Sequence, residues 1–118
     1  ERWAEFFTGF DAILLPVHPR PALRHDHSMP QFERVVDIDG SDRPYLDLWT
    51  WIAPAGLGGL PATVVPVGMS ADGLPIGVQI VGPFLHDRTT IHLARLISEI
   101  MSDRNGWPAA CPHPTLAQ

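Results

Sequence analysis

The sequence predicts an α/β fold, with strands of one sheet flanked by helices. Three observations predict it. Residues 62–67 and 76–81 are short, β-branched apolar runs joined across Asp72-Gly73, a hairpin turn signal. Residues 11–16 form another apolar run, closed by Pro16, as a buried strand would be. From Asp87 onward, Ile91, Leu93, Ala94, Leu96, Ile97, Ile100 and Met101 repeat at helical spacing and make a broad apolar face.

Taken in order, residues 1–10 read as the last turns of a helix, with Trp3, Phe6, Phe7 and Phe10 at helical spacing. The expected strand at 11–16 leads into a long surface excursion, about 17–43, holding Pro19, Pro21 and Pro30 and little periodicity. Loops of that length are usually functional or flexible. Within it, residues 35–40 read as a strand entering a turn. Residues 45–53 place Tyr45, Leu48, Trp49 and Ile52 at i, i+3, i+4 and i+7, which predicts a short amphipathic helix ended by Pro54. Residues 55–61 hold three glycines and read as an irregular turn.

The strand at 62–67 tolerates Pro66 only near its end or on an unpaired edge. Its partner at 76–81 is apolar enough to be covered on both faces. Asp87 is the expected N-cap of the last helix, Asn105-Gly106 its C-cap, and Pro108 blocks continuation. The proline-rich tail from Trp107 reads as extended over the surface.

Bulk composition narrows the chemistry. The chain has 118 residues, 8 Lys+Arg against 13 Asp+Glu, and a formal net charge of −5, which argues against a nucleic-acid or anionic-membrane surface. All eight basic residues are arginine. The absence of lysine removes Schiff-base chemistry, a lysine general base and a P-loop lysine from consideration within this chain. The single cysteine, Cys111, rules out an intrachain disulfide framework and makes a cytoplasmic location the default. No apolar run reaches the ~18–20 residues of a membrane span, and no secretory pattern opens the chain.

Candidate site residues are few. His25-Asp26-His27, with His18 nearby, offers metal ligands, but neither helical i,i+4 spacing nor a strand fixes them, so a solvated loop is the favoured reading and no metal is expected. His86-Asp87 reads as a loop residue beside a helix cap. Cys111 has no helix N-terminus or adjacent cation to activate it. None of Ser28, Ser41, Ser70, Ser98 or Ser102 lies in a G-x-S-x-G elbow. Trp49 lies on the expected apolar helical face and reads as core. Trp51 points away from that face, which makes it the better candidate for a pocket wall or an interface. The glycine run around Gly56 and Leu57 leads into a strand instead of a helix N-terminus, so it is not a phosphate cradle. No catalytic set emerges from the residues alone.

One ordered pattern adds to this reading. Phe10-Asp11-Ala12-Ile13-Leu14-Leu15-Pro16 is followed by Gly59-Leu60-Pro61-Ala62-Thr63-Val64-Val65-Pro66-Val67-Gly68. Then comes Gly73-Leu74-Pro75-Ile76-Gly77-Val78-Gln79-Ile80-Val81-Gly82, then Asp87 and the Leu-rich helix, then Trp107-Pro108. The pattern closely resembles the C-terminal part of the amidase signature family of amide hydrolases. The resemblance implies a mixed-sheet α/β fold and hydrolysis of a carboxamide without metal or organic cofactor. It also implies a Ser-Ser-Lys relay, whose lysine must be neutral to accept a proton and so needs burial.

This chain has neither a lysine nor a Ser-Ser pair, so none of the relay carries over. The expectation is an incomplete domain over residues 1–118, supplying scaffold and pocket wall through Trp51, Gly56 and Leu57. The rest of the same protein would supply the catalytic residues. The family commonly carries Asn three residues ahead of the first G-L-P glycine, where this chain has Gly56. The related amidotransferase subunits that hydrolyse glutamine carry an acidic residue shortly before that Asn. Here the ungapped position holds Trp49, with Asp47 two residues earlier. The apolar residue favours an aromatic or aliphatic amide as the small-molecule substrate. The rival readings are a noncatalytic interaction module derived from an amidase, pairing through exposed strands or Trp51 with a partner or with a second copy, and the equivalent segment of a glutamine-hydrolysing amidotransferase subunit.

Overall fold

Local sequence sets the first element through its aromatics. The computed structural model describes residues 2–105. Helix α1 (Arg2–Phe6) is short, and Phe6 meets Trp3 edge-on at 5.9 Å and stacks on Phe10 at 4.9 Å. Trp3 also lies against the backbone at Gly58, where an added Cβ would stand 3.0 Å from the indole nitrogen.

Strand β1 (Ile13–Pro16) ends at its proline, as expected. The excursion that follows is not wholly irregular. It carries a 3-10 turn at Gln31–Glu33 and then a hairpin of β2 (Val35–Ile38) and β3 (Ser41–Pro44). Asp39 and Gly40, at φ 53° and 77°, form the two-residue turn whose twist suits a hairpin. The strand entering a turn at 35–40 is thus present. Its return strand was hidden because Ser41, Asp42, Arg43 and Pro44 are all exposed and show no alternation.

Residues 45–61 correct the sequence reading. The expected amphipathic helix is a 3-10 turn, Tyr45–Trp49, and only Leu48 on it is buried. Trp49 is 43% exposed and is not core. Pro54 does not end a helix but stands in the first turn of one, α2 (Ala53–Gly58), where its missing N–H costs nothing. The glycine run is therefore helical up to Gly58. Gly59, at φ 62°, turns the chain out of the helix in the left-handed conformation, and Leu60 N–H bonds the Ala55 carbonyl at 3.0 Å.

Strands β4 (Ala62–Met69) and β5 (Pro75–Val81) form the expected hairpin, with Gly73 at φ 74° in its turn. The sheet order is β1-β5-β4, antiparallel throughout. Pro66 sits on the edge strand β4, beside a register shift between Pro66 and Gly68. Strand β5 is central, but it is not covered along its length: Pro75 and Ile76 are exposed, while Gln79, Ile80 and Val81 are buried.

Helix α3 (Asp87–Asn105) packs on one face of the sheet. Val65, Ile80 and Ala94 form its core, with Val67, Val78, Leu93 and Ile97 against them. Each large apolar side chain buried there is worth about 1.5–3 kcal/mol. Asp87 is the first helical residue and not the cap, since the His86 carbonyl already accepts the Thr89 and Thr90 N–H groups. Ile91 and Ile100 face outward, at 59% and 52% exposure, so the apolar face that contacts the sheet is narrower than the sequence suggests. The readings at Gly106, Trp107, Pro108 and Cys111 lie outside the described residues.

Candidate functional site

The residues expected to form a wall lie on one segment. Trp51 follows the 3-10 turn, and Gly56 and Leu57 sit on α2. All three are exposed. Leu57 is the extreme case at 91%, and no atom comes within 4 Å of a Cβ built on Gly56. Ile52, next to Trp51, is exposed as well.

What holds this segment to the sheet is a residue that sequence reasoning left unassigned. Gln79 is 2% exposed in the middle of β5. Its side-chain amide donates to the Pro16 carbonyl at 2.8 Å and to the Trp51 carbonyl at 2.5 Å. Both acceptors are carbonyls, so the orientation of the amide is unambiguous. Val78 and Ile80 point to the α3 face, so Gln79 points to the opposite one. The bond to Trp51 therefore brings the segment that precedes α2 over that second face. A lone polar residue inside an apolar strand was the available signal, because burial obliges such a group to find partners.

A broad groove of 1440 Å³ opens elsewhere, between the 17–26 loop, the start of β2 and the β4–β5 hairpin. Trp51, Gly56 and Leu57 do not line it. Several of its charged side chains are engaged locally. Arg20 pairs with Asp37, and Arg34 donates from Nε to the Met29 carbonyl at 3.0 Å and lies over the Tyr45 ring at 5.8 Å. Asp26 accepts the Ser28 hydroxyl at 2.6 Å and the Ser28 N–H at 2.9 Å. These bonds hold its carboxyl below the ordinary aspartate value.

The histidines do not converge. His18 Nδ1 bonds the Arg20 carbonyl at 3.0 Å, whereas the His25 and His27 rings stand 6.1 Å apart. Among the described residues no group of three or more His, Cys, Asp or Glu is placed to hold a metal ion. Two further serines bond locally. The Ser70 hydroxyl accepts the Leu74 N–H at 3.1 Å in the hairpin turn, and the Ser102 hydroxyl donates to the Ser98 carbonyl at 2.8 Å on α3. Asp47 is also engaged, taking Arg43 Nε at 2.8 Å and its Nη2 at 2.7 Å. No helix of the described residues is long and apolar enough to cross a membrane.

Among the described residues the chain is an antiparallel sheet backed by one helix, with short elements around it. Comparison with known proteins identifies the family. The amidase family model matches residues 1–91, and this chain belongs to the amidase family. It is 34% identical over 106 residues to a glutamyl-tRNA(Gln) amidotransferase subunit of Xanthobacter autotrophicus, covering 86% of this chain and 20% of that protein. It is 32% identical over 98 residues to the 6-aminohexanoate-cyclic-dimer hydrolase of Paenarthrobacter ureafaciens, covering 80% of this chain and 19% of that protein. The crystal structure of the corresponding glutamyl-tRNA(Gln) amidotransferase subunit from Thermotoga maritima superposes with a TM-score of 0.59 at 34% identity, over 80% of this chain and 18% of that one. The chain spans about a fifth of the length of the curated relatives it matches.

Proposed function

We propose that this chain is the C-terminal segment of an amide hydrolase that converts a carboxamide to a carboxylate and ammonia or an amine. The family match over residues 1–91 carries the reading. In it, Trp51, Gly56 and Leu57 form part of the wall facing a small-molecule amide, and the remainder of the same protein brings the nucleophile and the base. The absence of lysine from the whole sequence supports that division of labour, since a relay built on a neutral lysine cannot be completed here. An apolar wall of Trp51, Ile52 and Leu57 suits an aromatic or aliphatic substrate. A cytoplasmic location, motivated by the single cysteine, belongs to the same reading.

The test is release of ammonia or amine by the full-length protein offered aryl and alkyl carboxamides. Turnover by that protein and none by the 118-residue chain is the expected result. A serine-reagent-sensitive burst from the 118-residue chain alone would overturn the division of labour.

A second reading is a segment of a glutamine-hydrolysing amidotransferase subunit. The names of the Xanthobacter and Thermotoga relatives favour it. Against it stand the commitment of Asp47, the nearest acidic residue, to Arg43, and the apolar Trp49 exposed two residues further on. Glutamine outcompeting aryl amides as substrate would decide for this second reading.

A further inference from the structure

We infer that Gln79 is the positioning residue of the proposed wall, acting through the main-chain carbonyl of Trp51 and touching no substrate itself. The inference rests on the reading of Trp51, Gly56 and Leu57 as substrate-facing.

Three observations converge. Gln79 is the residue of the central strand whose side chain crosses to other segments: one amide N–H goes to Pro16 at the end of β1, the other to Trp51, 28 residues earlier in the chain. It is 2% exposed, so water does not substitute for either bond. The wall it reaches is otherwise anchored at its far end, where Trp3 lies against Gly58. Trp51, Ile52, Gly56 and Leu57 are all exposed, and among the described residues Ala55 is the buried member of α2.

The chemistry separates donation from space-filling. An amide NH₂ supplies two donors to two carbonyls, which neither a carboxylate nor a thioether can do. Gln79→Met keeps the volume and loses both bonds. Gln79→Glu presents a carboxylate to two carbonyl oxygens at neutral pH, while its protonated form regains one donor. The clamp's partners are the main-chain carbonyls of Pro16 and Trp51, and the residues paired with Gln79 across the sheet are the non-ionisable Leu15 and Val64.

The experiment uses the full-length protein with each substitution. Hydrogen exchange is followed at residues 51–58 and at β4–β5, together with kcat and KM on an aryl carboxamide. In both variants, exchange at 51–58 accelerates about tenfold or more while β4–β5 is unchanged. KM rises about tenfold with kcat retained, the loss of about one hydrogen bond. Gln79→Glu recovers part of its protection as the pH is lowered, and Gln79→Met does not. Equal acceleration in 51–58 and in β4–β5, or no pH-dependent recovery, would reduce Gln79 to a general core residue and overturn the inference. Faster exchange at 51–58 with KM unchanged would leave the clamp standing but remove the wall reading on which the positioning role depends. If Gln79→Met does not fold, Gln79→Glu examined across pH carries the same decision.

Discussion

At the scale of single residues, backbone conformation and local hydrogen bonds decide most of the outcomes. Gly59 holds φ 62° with nothing within 4 Å of an added Cβ, so space is not its constraint. A side chain there meets only the intrinsic penalty of the left-handed region, about 1–2 kcal/mol, and more for a β-branched one. Gly59→Val is expected to destabilise the protein by about 2 kcal/mol, and Gly59→Asn by less than half of that, because Asn tolerates this conformation. Denaturant melts of the two variants check the ranking, and equal midpoints would refute it.

Asp26 offers a pH test of the same local kind. The Ser28 hydroxyl bond, followed by the Ser28 N–H bond, lowers its pKa. A lowered folded pKa means that the turn's contribution is present above the ordinary aspartate value and is lost as pH falls through the depressed one. Ser28→Ala should therefore move the Asp26 carboxyl midpoint upward in an NMR titration; an unmoved midpoint would exclude the Ser28 hydroxyl as the leading cause.

Between elements, the contact that joins β5 to α3 depends on small groups. A Cβ on Gly82 would stand 2.7 Å from Thr90 Cγ2, and the Gly82 N–H is held by the Pro61 carbonyl at 3.0 Å. Thr90 is 1% exposed, with its hydroxyl 2.8 Å from that of Thr63 on β4. Gly82→Ala should cost about 1–3 kcal/mol through overpacking, and Thr90→Val about 1–2 kcal/mol by orphaning the Thr63 hydroxyl. A double mutant Thr63→Val/Thr90→Val that recovers part of the single loss confirms the pair, and strict additivity rejects it.

The same scale explains what was legible beforehand. Strands β1, β4 and β5 and helix α3 announced themselves because their apolar spacing and turn residues agreed: Pro16, Asp72-Gly73 and the Leu93–Ala94–Ile97 repeat each point to one answer. Residues 45–61 did not, because Pro54 marks a helix start as readily as an end and a glycine-containing helix looks like a loop. Strand β3 was silent because pairing with β2, not burial, holds it. For the candidate site, Trp51 was readable as an exposed apolar residue, whereas Gly56 and Leu57 entered only as expected wall positions. Gln79 was signalled only as a lone polar residue in an apolar strand, because its partners, the Pro16 and Trp51 carbonyls, come from sequence-distant segments.

For the molecule as a whole, the proportions of buried and exposed apolar surface matter most. Among the described residues the buried apolar ones are Val36, Leu48, Ala55, Val65, Ile80, Val81 and Ala94, and two of these are alanines. Against them, Leu57, Leu85, Phe32 and Phe84 are 91%, 76%, 74% and 64% exposed. Within the described residues the three-stranded sheet also has two free edges. On β4, Pro66 and the register shift beside it blunt pairing, whereas β1 carries its proline only at the last position. Self-association of the 118-residue chain is therefore expected through the β1 side, where Leu14 is 56% exposed. Light scattering on the purified chain should show mass rising with concentration, together with dye binding to exposed apolar surface. Leu14→Lys places a charge on that edge strand and should restore monomeric mass, while a lysine at the already blunted β4 edge, Val64→Lys, should change it far less. A concentration-independent monomer, or equal effects of the two substitutions, would show that β1 is not the edge at which the chain seeks a partner.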